Sequence, residues 1–244
     1  MQLAAAHRHA DCVALAVRET PRLPPGTAHL NVALGGLECG GELAADAPER
    51  AALEPHARAA AAIANDRAEP VLADDRSSLF EGLVAYYRSK GDEPTAMTVG
   101  RQWRDFLDGE AARATTPQAR AVFDSHRMLA YAAVGEEARA IPMLTESEHD
   151  FPDDYNPPVR LAKVYLDLGR LDEALVAIRR GEARVYGPRT LRVLELEADI
   201  HKRMNHPKES KEALVRAVEL AQKLQVTGGY RDLADRLAAQ AATM

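Results

Sequence analysis

Cysteine is nearly missing: Cys12 and Cys39 are the two in 244 residues, too few for a disulfide framework. They can pair if their helices are neighbours, but a reduced, buried thiol acting as a small hydrophobe is the expectation for a cytoplasmic protein. Aromatic residues make up only 5%, and β-branched runs are scarce, which disfavours a β-sandwich. No apolar run reaches the ~18 residues that a membrane-spanning helix needs. The first residues lack a basic stretch followed by a long apolar core, so they are not read as a signal peptide. Excess basic charge is absent too. A net charge of −6 and a pI near 5.8 argue against a nucleic-acid surface. Gly-x-Ser-x-Gly, P-loop and His-Glu-x-x-His patterns do not occur, so no catalytic residue and no cofactor is expected. The default is a soluble, cytoplasmic, non-enzymatic chain.

What is abundant is alanine, within a hydrophobic content of 46%. That mix suits closely packed helices. The stretch from Tyr155 to Pro188 shows the plan most clearly. Leu161, Val164, Tyr165 and Leu168 recur at three- and four-residue spacings, which predicts a helix over about 158–168. Gly169 then stands where a left-handed cap needs a residue without Cβ. A second helix carries Ala174, Leu175, Ile178 and Gly181 on one face and ends near Gly187-Pro188. Such a hairpin cannot bury its faces alone, so further copies should stack beside it.

Other copies can be aligned on the turn. Gly91 set against Gly169 places Tyr87 on Tyr165, Leu83 on Leu161 and Ala96 on Ala174. Gly135 lies one step earlier, with Tyr131, Ala140, Leu144, Ser147 and Pro152 in matching places. In the last copy Asn205 takes the turn position, and Asn is the best non-glycine residue for a left-handed turn. Thr116 can cap and Pro117 can begin a helix. Pro142 falls inside a predicted helix and predicts a kink.

Before residue 77 the pattern weakens. Helices are predicted over about 1–19 and 27–43, separated by a proline-rich break. Gly35, Gly36, Gly40 and Gly41 would let another helix approach closely. A third helix should open at Asp46-Ala47-Pro48-Glu49, with Asp46 as the cap. After Leu224, Gly228-Gly229 breaks the chain ahead of a final helix with Leu233 and Leu237 on one face.

These positions resemble the tetratricopeptide (TPR) family, in which helix pairs recur every ~34 residues. The best copy supplies Leu161, Ala162, Tyr165, Gly169, Ala174, Ile178 and Gly181. The resemblance covers 77–110, 121–154, 155–188 and 191–224, with departures at Pro158, Arg127, Met128, Trp103, Glu197 and His201. It implies an all-α helical-hairpin solenoid, a TPR-like superhelix. Degenerate helical repeats would precede it over 1–76, and a capping helix would follow over 225–244. A weaker likeness is to helical regions that follow a thioredoxin-like domain in some bacterial proteins. With no Cys-x-x-Cys here, that would make the chain an accessory region of a thiol-disulfide redox protein.

Charge is unevenly distributed. The net is −4 over 1–76, −6 over 77–154, +4 over 155–224 and zero thereafter. That imbalance suggests an acidic partner for the later repeats, or contact between copies. In TPR arrays the first helix of each pair lines the concave face. The resemblance therefore points Asn156, Arg160, Lys163, Arg192, Asp199 and Lys202 at the groove, where Arg and Lys can capture an acidic peptide. The carboxylate clamp of chaperone-binding TPR proteins is not matched, because Ser125 and Leu129 stand in its place. The expected role is a protein-binding scaffold with a protein or peptide partner and neither nucleic acid nor membrane.

Other candidates are weaker. His7, His9 and Cys12 include zinc-ligand types, but His7 points away from the other two on a helix, so no metal site is expected. Glu146, Glu148, Asp150, Asp153 and Asp154 lack a calcium-loop pattern and read as a solvated turn. Trp103, Phe106 and Tyr131 could surround a small-molecule pocket.

Overall fold

The structure, a computed structural model, describes residues 7–44 and 46–243. Every regular element among them is helical, as the composition predicts. The chain forms two compact units, residues 1–136 and 137–244.

The first unit holds α1 (His9–Glu19), α2 (Thr27–Gly41), α3 (Arg50–Asn65), α4 (Ala73–Ser89), α5 (Glu93–Arg113), α6 (Pro117–Ala121) and α7 (Asp124–Ala133). The segment expected to start α1 earlier lies outside the described residues. A short 3-10 turn, Thr20–Arg22, fills the proline-rich break. Helix α2 packs against α1, α3 and α4, and α5 packs on α4 and α7. Two of the four glycines in α2 explain that closeness. A Cβ on Gly36 would lie 2.3 Å from the His56 ring, and one on Gly40 would lie 2.6 Å from Leu53. Gly35 and Gly41 face open space.

Two expectations fail in this unit. Cys12 and Cys39 are joined in a disulfide with Cα atoms 6.1 Å apart, because α1 and α2 lie face to face. The reduced state, and the support it lent to a cytoplasmic location, therefore falls. Asp46 does not cap α3 either. The helix starts at Arg50, without a side-chain cap, and Arg50 itself turns back to donate to the carbonyl oxygens of Leu43 and Ala44. Thr116 caps as the sequence predicts, and Asp92, which the sequence reading did not single out, caps as well. The Asp92 carboxylate accepts from Thr95 N–H at 3.2 Å, and the Thr116 hydroxyl accepts from Ala119 N–H at 3.2 Å.

The second unit opens with a 3-10 turn, Glu137–Arg139. It continues through α8 (Ala140–Asp150), α9 (Asn156–Asp167), α10 (Leu171–Glu182), α11 (Thr190–Arg203), α12 (Pro207–Leu224) and α13 (Gly229–Ala242). Pro142, expected inside a helix, sits in the first turn of α8, where its missing N–H is one of those that need no intrahelical acceptor. Helix α9 pairs with α10, α11 with α12, and α13 closes on α12 with Leu233 and Leu237 buried.

The turns repeat as the alignment requires. Gly91, Gly135, Gly169 and Asn205 all have positive φ, at +74°, +72°, +72° and +60°. At each of them the next residue donates its N–H back over the turn, to the carbonyls of Tyr87, Tyr131, Tyr165 and His201 respectively, at 2.8–2.9 Å. This is the Schellman closure of a helix end. Small residues then let the paired helices touch: Ala174, Ala177, Ala213 and Ala217 are at most 1% exposed. Gly181 faces Val159 so closely that an added Cβ would stand 2.4 Å from Val159 Cγ2.

Opposite charges reinforce the stacking at nearly the repeat spacing. Arg180 on α10 donates two bonds of 2.8 Å to Glu148 on α8. Arg216 on α12 reaches Glu182 on α10 at 2.7 Å. Glu148 is thus no part of a solvated acidic turn. Arg184 also binds it at 2.9 Å, and its carboxyl is held below the usual carboxylate range, first by the hydrogen bond from Arg180. Burial is what the sequence reading missed there.

Candidate recognition surface

Three helices of the second unit lie side by side, α9 against α11 and α11 against α13; α9 and α11 each lead a hairpin, and α13 is the last helix of the described residues. Residues three and four apart on each share a face. On α9 that stripe is Arg160, Lys163 and Asp167. On α11 it is Arg192, Glu195, Asp199 and Lys202, and on α13 it is Asp232 and Arg236.

Some of these charges neutralise one another. Lys163 pairs with Asp167, and Arg236 on α13 pairs with Glu195 on α11. Asp199 feels Lys163, Lys202 and Arg236 together, which brings the three helices to one locus. Its carboxyl is nevertheless pushed up, first by burial and next by the charge of Glu195. Asp199 still touches solvent. Beside it, Arg192, Glu195, Gly229, Asp232, Leu233 and Arg236 line a cavity of about 420 Å³.

Two cations have no such partner. Arg160 is half-buried and Arg192 exposed, and no carboxylate among the described residues lies within ion-pair distance of either. The predicted surface residues therefore divide. Lys163 and Lys202 converge on Asp199, Arg192 joins the cavity by α13, and Arg160 stands one turn before Lys163. Asn156 is committed locally instead, since its backbone and side-chain N–H groups both donate to Asp154, at 2.9 and 2.7 Å.

Aromatic groups stand near the start of each of the three helices, and the sequence reading passed over them. Tyr155 precedes α9, Tyr186 precedes α11, and Tyr230 opens α13. The Tyr155 and Tyr186 rings meet edge to face at 6.5 Å, and Arg189 lies 5.6 Å over Tyr186. Burial pushes the Tyr155 hydroxyl up, opposed by Arg189. Tyr186 is 67% exposed, unusual for so large a ring. A tyrosine ahead of or at the start of each of these helices was the available signal.

The first unit contains an arrangement with the look of a catalytic triad. Ser77 Oγ lies 2.9 Å from His126 Nδ1, and His126 Nε2 lies 3.8 Å from Asp74. Trp103 Nε1 donates to the same Ser77 oxygen at 2.8 Å. Ser77 is fully buried, so no substrate reaches its oxygen, and a lone pair that a nucleophile would use is already engaged by the indole. The relay ties α4 to α5 and α7. Trp103, Phe106 and Tyr131 are each at most 4% exposed and belong to the packed interior, so they do not together wall a pocket. His7 and His9 meet only edge to face, at 5.9 Å, while Cys12 is spent on its disulfide.

Comparison with known proteins adds a likeness of fold. No protein-family model matches the sequence, and no curated protein matches it. Among solved structures, BtubC (BKLC) from P. vanneervenii aligns with a TM-score of 0.57 at 13% identity, over 91% of this chain and 92% of its own. An assembly chaperone of RpL4 (Acl4) aligns with a TM-score of 0.41 at 14% identity, over 99% of this chain and 94% of its own.

Proposed function

We propose that this chain is a TPR-type, non-catalytic recognition module that holds an acidic peptide along α9, α11 and α13. The observation that carries the reading is the pair Arg160 and Arg192, two guanidiniums on one face without carboxylates of their own. Planar guanidinium forks match carboxylates in two-point bonds, and here no internal salt bridge must break first. Lys163, Lys202 and Arg236 are shared with acids of the same face and supply a weaker background field. Tyr186, with Arg189 beside it, offers an amphipathic ring to an apolar side chain of the same peptide. Asp199, a negative charge on the same face, works against an acidic partner.

A labelled peptide rich in Glu and Asp, titrated into the intact chain and followed by fluorescence anisotropy, tests the reading. Binding is expected to weaken as salt rises, because screening acts over ~8 Å at physiological ionic strength. Arg160→Glu combined with Arg192→Glu should abolish it, and Asp199→Asn should strengthen it. Equal affinity in the wild type and the double variant, with helical content unchanged, would remove the proposal.

A further inference from the structure

We propose that a second site, in the first unit, binds a small phosphate-type oxyanion, either inorganic phosphate or a compact phosphomonoester. It is a cavity of about 470 Å³ between the α3–α4 connection and the C-terminal half of α5. That size is in the range of ordinary small-molecule sites.

Its wall holds three guanidiniums, from Arg67, Arg76 and Arg113. Arg76 is only 4% exposed. Its Nη1 donates to the carbonyl oxygens of Ile63, Ala64 and Asp66 at 3.1, 2.9 and 2.7 Å, and its Nη2 donates to that of Glu69 at 2.9 Å. These are dipoles, not counter-charges. No carboxylate among the described residues lies within ion-pair distance of it, and a buried charge without one is costly. Burial first, and then the charge of Arg67, push its pKa down, partly offset by the more distant charges of Asp66, Glu69 and Glu110. An arginine stays protonated even so, and a bound anion would relieve both effects.

The two outer arginines are also short of negative charge. Arg67 lies 4.8 Å over the Phe106 ring and donates to Glu110 Oε1 at 3.2 Å. Arg113 donates to that same oxygen. Their side chains are 58% and 61% exposed, so much of each guanidinium stays open to solvent at the cavity wall. Glu69, the other acid in the wall, is turned away. Its Oε1 accepts from Gly26 N–H at 2.6 Å and meets His29 Nδ1 at 2.9 Å, and its side chain is 3% exposed. Three cations thus surround one available carboxylate. A tetrahedral oxyanion with several acceptor oxygens can span the two outer guanidiniums and sit in the field of the third.

The site is tested on the full chain by calorimetric titration with inorganic phosphate and, separately, with glycerol phosphate, against sodium chloride at matched ionic strength. Trp103, three residues before Phe106 on α5, gives a second readout. Saturable one-to-one binding of either phosphate supports the proposal, and tighter binding of the ester would assign the rest of the cavity to an organic body. Arg67→Gln and Arg113→Gln, both at the surface, should each weaken binding roughly tenfold, the loss of one charge-assisted hydrogen bond. Glu110→Gln should strengthen it by removing the competing acid. Heats that do not saturate, an equal response to chloride, or unchanged affinity in the two arginine variants would overturn it.

Discussion

The two units of this chain solve the same packing problem by different means. The second is regular. Its hairpins turn on Gly169 and Asn205, meet through alanines and Gly181, and are linked by ion pairs from one second helix to the next, Glu148 to Arg180 and Glu182 to Arg216. The first is irregular and is fastened from within. It uses a disulfide between α1 and α2, the Trp103–Ser77–His126 relay across α4, α5 and α7, and the Arg76 guanidinium gathering four carbonyls from the end of α3 and the loop beyond it. Regularity spreads stability over many small contacts that recur with each hairpin. Irregular packing concentrates it in a few polar groups, so single changes there should cost more.

Arg76→Met tests that contrast most severely. It removes the guanidinium from four carbonyl oxygens: those of Ile63, Asp66 and Glu69 keep backbone donors in the N–H groups of Asp66, Glu69 and Val71, while that of Ala64, in the last turn of α3, loses the donor it has. A loss of about 3 kcal/mol or more is expected. Denaturant unfolding followed at Trp103, the single tryptophan and a member of the same unit, would measure it. A loss below ~0.5 kcal/mol would mean that the first unit is not fastened at that point.

Gly181→Val should be next. The new side chain runs into Val159 Cγ2 across the α9–α10 contact, at a cost of about 1–3 kcal/mol for overpacking. Thermal melts of the helical circular-dichroism signal would show it. An unshifted midpoint would show that the hairpin opens freely and that its small residue is incidental.

The smallest effect is expected at Glu148→Gln, about 1 kcal/mol at neutral pH, because Arg180 and Arg184 remain partly solvated. The carboxyl pKa is lowered in the folded chain. The native state therefore binds fewer protons than the unfolded one as pH falls through the carboxylate range. This contribution is complete above the unfolded carboxylate pKa of about 4.3 and disappears as pH falls through the folded value. Wild type and variant should then converge in acid. A constant difference down to pH 2–3, well below that reference value, would sink the assignment.

How much of this was legible depended on how far along the chain the relevant partners lie. Gly91, Gly135, Gly169 and Asn205 announce themselves because a left-handed turn is a property of one residue and its neighbours. Leu233 and Leu237 could be placed on a buried face by helical spacing alone. Glu148 could not be assigned so easily, since its partners are 32 and 36 residues away. A search for opposite charges one repeat apart would have found them. Asp46 was a plausible cap, but α3 starts four residues later, at Arg50. Of the proposed recognition surface, the sequence reading had named Arg160 and Lys163 on α9 and Arg192, Asp199 and Lys202 on α11. Arg236 was not, because helix α13 had been read as a capping helix, and Tyr155 and Tyr186 were not, because they lie ahead of the helices that were read for their charged faces.

Composition and spacing by themselves determined that this chain is all helix, where its hairpins turn, and which small residues let them close, because those choices are settled within a few residues. The joining of Cys12 to Cys39, the sealing of Ser77, the carbonyl cage around Arg76, and the distinction between neutralised and unpaired arginines were decided only when helices distant in sequence came together. A side chain's burial and its counter-charge depend on groups that the chain brings near only by folding.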